Sequence, residues 1–156
     1  MRLITDWMPV AIEVDDKQGL LDRLNRSSKN TLMETLGIVY TDAGPGFLEA
    51  SMPVNASVHQ PMGILHGGAT AALAESVGSA ASALLLDLET HYPVGLELSI
   101  NHIRSLQSGK VVARAEIVHQ GRSTHLWNIA IVDESKRQMA WARLSMMVLS
   151  RTSKPG

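Results

Sequence analysis

The hydrophobic and polar positions along the chain predict short helices, two strands, one long helix and then four further strands. Three leucines between residues 20 and 24 indicate one or two helical turns, and the segment NTLMETLGI indicates a second short helix that ends at Gly37. The segment IVYTDAGPGFLEASMPV is typical of two short strands around a turn at residues 44–46. Residues 1–19 carry no strong pattern.

The region from Ala69 to Leu86 is apolar almost throughout and approaches the length that spans a membrane. Glu75 stands within this region, and an acid at the centre of a bilayer would be costly. Four small polar residues also interrupt the run. We therefore predict a buried helix in a soluble protein, with no membrane as a partner.

After Pro93 the chain alternates between apolar and polar residues, as half-buried strands do. In VGLELSINHIRS the pattern places Leu96, Leu98 and Ile100 on one face and polar residues on the other. The segments KVVARAEIVHQGRS, THLWNIAIVDESK and RQMAWARLSMMVLS follow, the last two joined by a turn at residues 133–136. Four consecutive strands with short connections demand antiparallel pairing.

A single helix that is apolar nearly all round must be covered on more than one side. An antiparallel sheet curled around the helix is the simplest solution, and five small residues let the helix backbone approach a sheet closely: Ala71, Ala72, Ala74, Gly78 and Ala81. The pattern therefore predicts an α+β protein with the hotdog fold. We expect a domain over residues 30–150, an N-terminal extension over residues 1–29 and a tail over residues 151–156.

The composition narrows the possible functions. A chain of 156 residues fits one domain, and a net charge of -1 gives no electrostatic footprint of a nucleic-acid binder. The absence of cysteine excludes disulfides, thiolate metal sites and cysteine catalysis, and with no apolar signal segment at the N-terminus it favours the cytoplasm. The six histidines show no close helical pairing with a carboxylate, so we expect neither a metal nor a cofactor.

The acid inside the long helix is the first candidate for chemistry. Glu75, Ser79 and Ser82 lie at i, i+4 and i+7 and form one narrow polar line on an apolar helix. A buried charge is expensive unless it is paired or used. The line therefore indicates either a working site or a face turned towards solvent or a partner subunit.

The start of the helix is the second candidate. Gly67 and Gly68 lie at or just before its N-terminus, where backbone N–H groups lack partners and a ligand atom can approach closely. This arrangement suits an oxyanion site, although a flexible loop entering a helix would look the same. Glu75 lies about 11 Å further along the helix, which favours a site shared by two subunits of a homo-oligomer.

Four segments carry a resemblance to a known family. NTLMETLGI, QPMGILHGGATAALAESVGS, NHIRS and GRSTHLW occur in an order and spacing that resemble the hotdog-fold acyl-CoA thioesterases. The most similar branch acts on aryl-CoA and related thioesters, including the hydroxybenzoyl-CoA, dihydroxynaphthoyl-CoA and phenylacetyl-type enzymes. The resemblance covers roughly residues 30–150, and the block from Gln60 to Ser79 is its specific part. It implies hydrolysis of an acyl-CoA to the free acid and coenzyme A.

The resemblance also implies roles for individual residues. Glu75 matches the catalytic carboxylate, acting as a nucleophile or as the base for a water molecule. The Gly67 N–H matches the donor that polarises the thioester carbonyl, and Gln60 and His66 match the polar pair that supports it. Ser79 matches a residue that positions water or the acid.

The coenzyme A moiety offers phosphates and a pantetheine arm to bind. His102 and Arg104 stand at alternate positions of one strand and could meet phosphate, as could Arg122 in a hairpin turn. A solvated sheet edge would explain all three equally well. By the resemblance, Gly95 allows close approach of the pantetheine.

Two further residues bear on the acyl group, and other functions remain open. Ala80, where the aryl branch can carry a bulkier residue, and the flexible Met62 indicate a roomy, adaptable pocket. A non-catalytic acyl-CoA-binding module would not need Glu75 together with the motif around Gly67. Hydratase chemistry would need a second acid near His66. We expect a homodimer, or a homotetramer built as a dimer of dimers.

Overall fold

The computed structural model describes residues 16–151. The helices and strands follow one another in the predicted order, although α1 spans 11 residues, more than the one or two turns expected. The elements are α1 (Lys17–Ser27), α2 (Leu32–Leu36), β1 (Val39–Gly44), β2 (Phe47–Val54), a 3₁₀ turn (Ala56–Val58), α3 (Gly67–Leu84), β3 (His91–His102), β4 (Gly109–Gln120), β5 (Thr124–Asp133) and β6 (Gln138–Ser150).

The strands form one six-stranded antiparallel sheet in the order β1-β2-β4-β5-β6-β3. This confirms the predicted antiparallel pairing and the α+β class. The chain order does not reveal, however, that β3 pairs with β6 rather than with the next strand, β4. Consequently β3 is an edge strand, and its outer edge pairs with no other strand of residues 16–151.

Helix α3 packs against the inner face of this sheet. Leu73, Ala74, Val77 and Ala81 are fully buried there, and burying a side chain of valine or leucine size contributes about 1.5–3 kcal/mol. At Gly78 an added Cβ would lie 2.5 Å from Leu144 Cδ2, so close approach of helix and sheet requires glycine. Within residues 16–151, no helix is both long enough and apolar enough to cross a membrane.

Helix α1 docks on the opposite edge of the sheet, at β1. The Asn25 side chain donates to Tyr40 O at 3.1 Å and accepts from Tyr40 N at 2.8 Å, which continues the strand ladder with a side-chain amide. Lys17 Nζ lies 2.8 Å from Asp42 Oδ1, and Leu21 belongs to the main core. The described part of the N-terminal extension therefore shares one hydrophobic core with the sheet. It packs at the β1 edge, which is opposite the β3 edge.

A bulge in β3 changes the predicted alternation. The register with β6 shifts between Gly95 and Glu97, so Leu96 is the extra residue. Leu96 is 58% exposed, whereas Leu98 and Ile100 pack against the core. The prediction that all three leucine and isoleucine side chains share the buried face is wrong for Leu96, because one inserted residue reverses the side-chain direction.

Candidate active site

The N-terminus of α3 is organised by His66. Its Nδ1 accepts a hydrogen bond from Gly68 N at 2.8 Å, and its carbonyl oxygen accepts from Ala69 N and Thr70 N at 3.0 and 3.2 Å. Accepting at Nδ1 places the proton of the neutral ring on Nε2. Among residues 16–151, no acceptor takes the Gly67 N–H, so this amide is available to a ligand oxygen.

A cavity of about 320 Å³ lies beside this amide. Gln60 and Gly67, predicted at the thioester carbonyl, line it together with His102 and Arg104, which were predicted to meet phosphate. A Cβ on Gly67 would lie 3.0 Å from His102 Nε2, so the absence of a side chain opens the approach between helix and strand. A backbone hydrogen bond within the loop holds Gln60 in place: the Gln60 backbone N–H donates to Ile64 O at 2.9 Å.

Glu75 is half-buried in the middle of α3. Ser79 Oγ donates to Glu75 Oε1 at 3.2 Å, which fits the predicted role of Ser79 in positioning the acid. A Cβ on Gly95 would lie 2.2 Å from the same oxygen, so the carboxylate occupies the space that this glycine leaves on β3. Among the described residues, Glu75 has no ion-pair partner. The acid is therefore held by Ser79, with no cation paired to it among the described residues.

The structure thus places Gly95 beside the catalytic candidate rather than beside the cavity at the helix N-terminus. Its predicted contact with pantetheine stays a prediction.

The amide and the carboxylate lie apart within one chain. Glu75 lies eight positions beyond Gly67 on the helix, a rise of about 12 Å. Both residues nevertheless lie against β3, Gly67 near His102 and the carboxylate of Glu75 near Gly95. The two halves of the candidate site therefore lie along one edge strand, β3.

Arg104 and Arg122 lie at opposite ends of the sheet. Arg104 Nη1 donates to Gln138 O at 2.7 Å, at the start of β6. Beside Arg122, the carbonyl oxygen of Ser123 accepts from Val148 N at 2.9 Å, ten residues further along β6. At about 3.3 Å per residue the two ends are roughly 30 Å apart, so the two arginines of one chain cannot bind the same phosphate.

The predicted polar line along α3 is wrong for Ser82. Ser82 is fully buried, and its Oγ accepts a hydrogen bond from Trp127 Nε1 at 2.7 Å. A buried indole N–H needs an acceptor, and Ser82 supplies one inside the core. Glu75 and Ser79 are the members of the line that remain accessible.

Ala80 lines a different cavity, of about 460 Å³, between α1, α2 and α3. Met62 is 80% exposed in the loop before α3 and does not contact that cavity. The sequence pattern missed Leu24, which lines this cavity with Ala80, because the prediction placed residues 1–29 outside the domain. The triplet of leucines in α1 was the available signal.

His125 is a buried titratable group that sequence reasoning did not single out. Burial lowers the pKa of His125 below its usual value of 6.5, and the charge of His119 lowers it further. Its Nδ1 and the Oε1 of Gln120, its neighbour across β4 and β5, have no hydrogen-bond partner among the described residues. A neutral His125 is therefore part of the folded state.

Comparison with known proteins places this chain among the thioesterases. Residues 62–140 match the family described as the Thioesterase superfamily. The chain belongs to this superfamily, as the resemblance of its four motifs predicted.

Individual relatives cover most of both chains. The proofreading thioesterase EntH of Klebsiella pneumoniae is 47% identical over 129 residues, which are 83% of this chain and 93% of the relative. Thioesterase PA1618 of Pseudomonas aeruginosa, solved as a mutant, is 45% identical with a TM-score of 0.83, over 84% of this chain and 94% of that one. Thioesterase HI1161 of Haemophilus influenzae is 38% identical with the same TM-score, over 87% and 94%. The hotdog fold is thereby confirmed.

Proposed function

We propose that the protein hydrolyses an acyl-CoA thioester to a free acid and coenzyme A, in a site that two subunits share. The observation that carries the proposal is the pair of half-sites on α3: a Gly67 amide with no acceptor and a Glu75 side chain with no ion-pair partner among residues 16–151. Thioester hydrolysis needs one donor for the developing oxyanion and one base or nucleophile. The resemblance favours an aromatic acyl group.

Glu75 acts in one of two ways. As a base, it takes a proton from water while the water oxygen attacks the carbonyl carbon; the C–S bond then breaks and the proton passes to the thiolate. As a nucleophile, its oxygen displaces the thiolate to form an anhydride, which water then opens. In both, the Gly67 N–H donates to the oxyanion of the tetrahedral intermediate.

Four polar side chains support these two groups. His66 fixes the start of α3 through Gly68 and leaves the Gly67 amide free. Gln60 and His102 line the same cavity and can orient the thioester there. Ser79 holds the carboxylate by its hydroxyl.

Pairing of β3 with a second copy of itself would complete the site. Suppose that the two β3 strands pair antiparallel, with Gly95 of each chain opposite position 102 of the other. The Glu75 carboxylate of each chain, which lies at Gly95, then comes close to the Gly67 amide of the other chain, which lies at position 102. The bare edge of β3, 12 residues long, invites this pairing. The same two-fold relation brings Arg104 of one chain towards the end of the sheet where the other chain carries Arg122. The two could then bind one coenzyme A together.

A thiol-release assay over CoA thioesters tests the proposal. We expect turnover of at least one aromatic or aliphatic acyl-CoA, and its loss in Glu75→Gln. Binding of acyl-CoA without thiol release would instead indicate a non-catalytic binding module.

A further inference from the structure

Three backbone hydrogen bonds close the loop that leads into α3, residues 58–66, which we call the site loop. They run from Gln60 N to Ile64 O at 2.9 Å, from Gly63 N to Gln60 O at 2.9 Å and from His66 N to Val58 O at 2.8 Å. Gln60 lies near the start of this loop, and Gly67 follows its last residue. All three bonds lie within the loop, so they set its shape but leave its placement to contacts with other segments.

Two further hydrogen bonds attach the site loop to the connection between β3 and β4. Leu65 N donates to Leu106 O at 2.8 Å, and His59 Nε2 lies 2.9 Å from Gln107 O, 48 residues further along the chain. A carbonyl oxygen only accepts, so His59 Nε2 carries a proton and donates. His59 and Leu65 face each other in an isolated antiparallel bridge, so the two attachments hold both sides of the loop. The bond from Leu65 uses the backbone, whereas the bond from His59 depends on its side chain.

The Gln60 side chain depends on this placement. Its Oε1 accepts a hydrogen bond from Met62 N, so its amino group, Nε2, is the end that can donate to a ligand. Gln60 lines the cavity beside the Gly67 amide, whereas His59 is not among the residues that line it. A thioester held in that cavity would therefore meet Gln60 and not His59.

We propose that His59 is a positioning residue: it holds the site loop against the β3–β4 connection and thereby sets the Gln60 amide beside the Gly67 N–H. The inference rests on the proposed thioester hydrolysis and adds a residue to its site. Gly67 is the first residue of α3, which packs on the sheet, so its amide stays in place if the loop moves. Gln60 belongs to the loop and would move with it, and a displacement of about 1 Å can cost about 10²-fold in rate.

Replacements of His59 test the inference by steady-state kinetics. His59→Phe keeps an aromatic ring but removes the donor, and we expect kcat to fall about tenfold or more while KM changes little. His59→Gln places an amide donor at a similar reach and should recover most of the lost kcat. Ser57→Ala is the matched control, because the Ser57 hydroxyl bonds to Asn55 within the same turn and not to another segment. It should leave kcat and KM unchanged.

A double-mutant cycle separates action through Gln60 from a general effect on the structure. In a Gln60→Ala background the amide is already missing, so His59→Phe should lower kcat by less than about twofold. An equal fall in both backgrounds would overturn the inference. Full kcat in His59→Phe, even with a lower melting temperature, would overturn it as well.

A spectroscopic measurement needs no turnover and separates the inference from the proposed chemistry. The probe is a benzoyl-CoA analogue with CH₂ in place of the thioester sulfur, so its ketone carbonyl can bind without being cleaved. Donation from Gln60 and Gly67 should lower the infrared stretching frequency of that carbonyl below its value in solution. His59→Phe should shift the frequency part of the way back, and His59→Gln should restore it. An unchanged frequency in His59→Phe would overturn the inference; the expected shifts without thiol release from any acyl-CoA would count against the proposed hydrolysis alone.

Discussion

The carboxylate of Glu75 lies in the space that Gly95 leaves open on β3: a Cβ at residue 95 would stand 2.2 Å from Glu75 Oε1. Glycine inside a strand ordinarily costs about 0.5–1 kcal/mol relative to alanine. The position of the carboxylate therefore explains a residue that folding alone would not favour.

Gly95→Ala should displace the carboxylate without harming the fold. The end of a glutamate side chain is flexible and can move away, so we expect an unchanged or slightly higher melting temperature and a fall in kcat of about tenfold or more. Steady-state kinetics and a thermal melt measure both. Ser99→Ala on the same strand serves as the control. Full activity in Gly95→Ala would show that the position of Glu75 against this strand is not needed.

Glu75→Gln should lower kcat by about 10²–10⁴-fold, the range for a positioned acid–base group. The fold should survive, because Glu75 has no ion-pair partner to leave unpaired among residues 16–151. Glu97→Gln, which removes an exposed acid from β3, provides a matched control.

A single turnover of the native protein in ¹⁸O-labelled water tests whether Glu75 acts as a nucleophile or as a base. Label can enter the Glu75 carboxylate only if Glu75 is the nucleophile, through attack of water on the anhydride at the Glu75 carbonyl carbon.

Mixed dimers should recover activity if each site combines two chains. Glu75→Ala and Gly67→Val chains, unfolded and refolded together, would form heterodimers with one intact site, and activity should reach up to about a quarter of the native value. Gln60→Ala can replace Gly67→Val if the latter does not fold. Heterodimers that form without recovered activity, or a monomer in sedimentation, would reject the shared site.

Arg104→Ala and Arg122→Ala should each raise KM for a CoA thioester, with kcat little changed. The reason is that both arginines are expected to bind the phosphates of coenzyme A, remote from the reacting atoms. A pantetheine thioester without the nucleotide should be insensitive to either change. Equal effects on both substrates would mean that the arginines act on the structure instead.

The stability of the protein should fall as the solution is acidified through the region of histidine titration. Burial lowers the pKa of His125 in the folded state. Below about pH 6.5 His125 therefore binds a proton more readily in the unfolded chain than in the native protein. The contribution of neutral His125 is therefore complete above about pH 6.5 and is lost as the pH falls below it. Denaturant unfolding at several pH values measures this. His125→Gln should flatten that dependence; an unchanged slope would assign it to other groups.

The sequence by itself determined the elements and the class of the fold. The long helix over α3, the turn at Gly37 and the alternation in β4 follow from periodicity, which depends only on neighbouring residues. Glu75 and Gly67 could be singled out for the same reason, since an acid in an apolar helix and a glycine pair at its start are local patterns.

Tertiary structure alone decided how distant segments meet. The place of β3 at the free edge, the bulge that exposes Leu96 and the hydrogen bond that draws Ser82 into the core all depend on partners far along the chain. The same holds for the packing of α1 that encloses the cavity beside Ala80, and for Gly95 against Glu75. Sequence spacing specifies which face a residue occupies; the space opposite that face is created only when another segment packs against it.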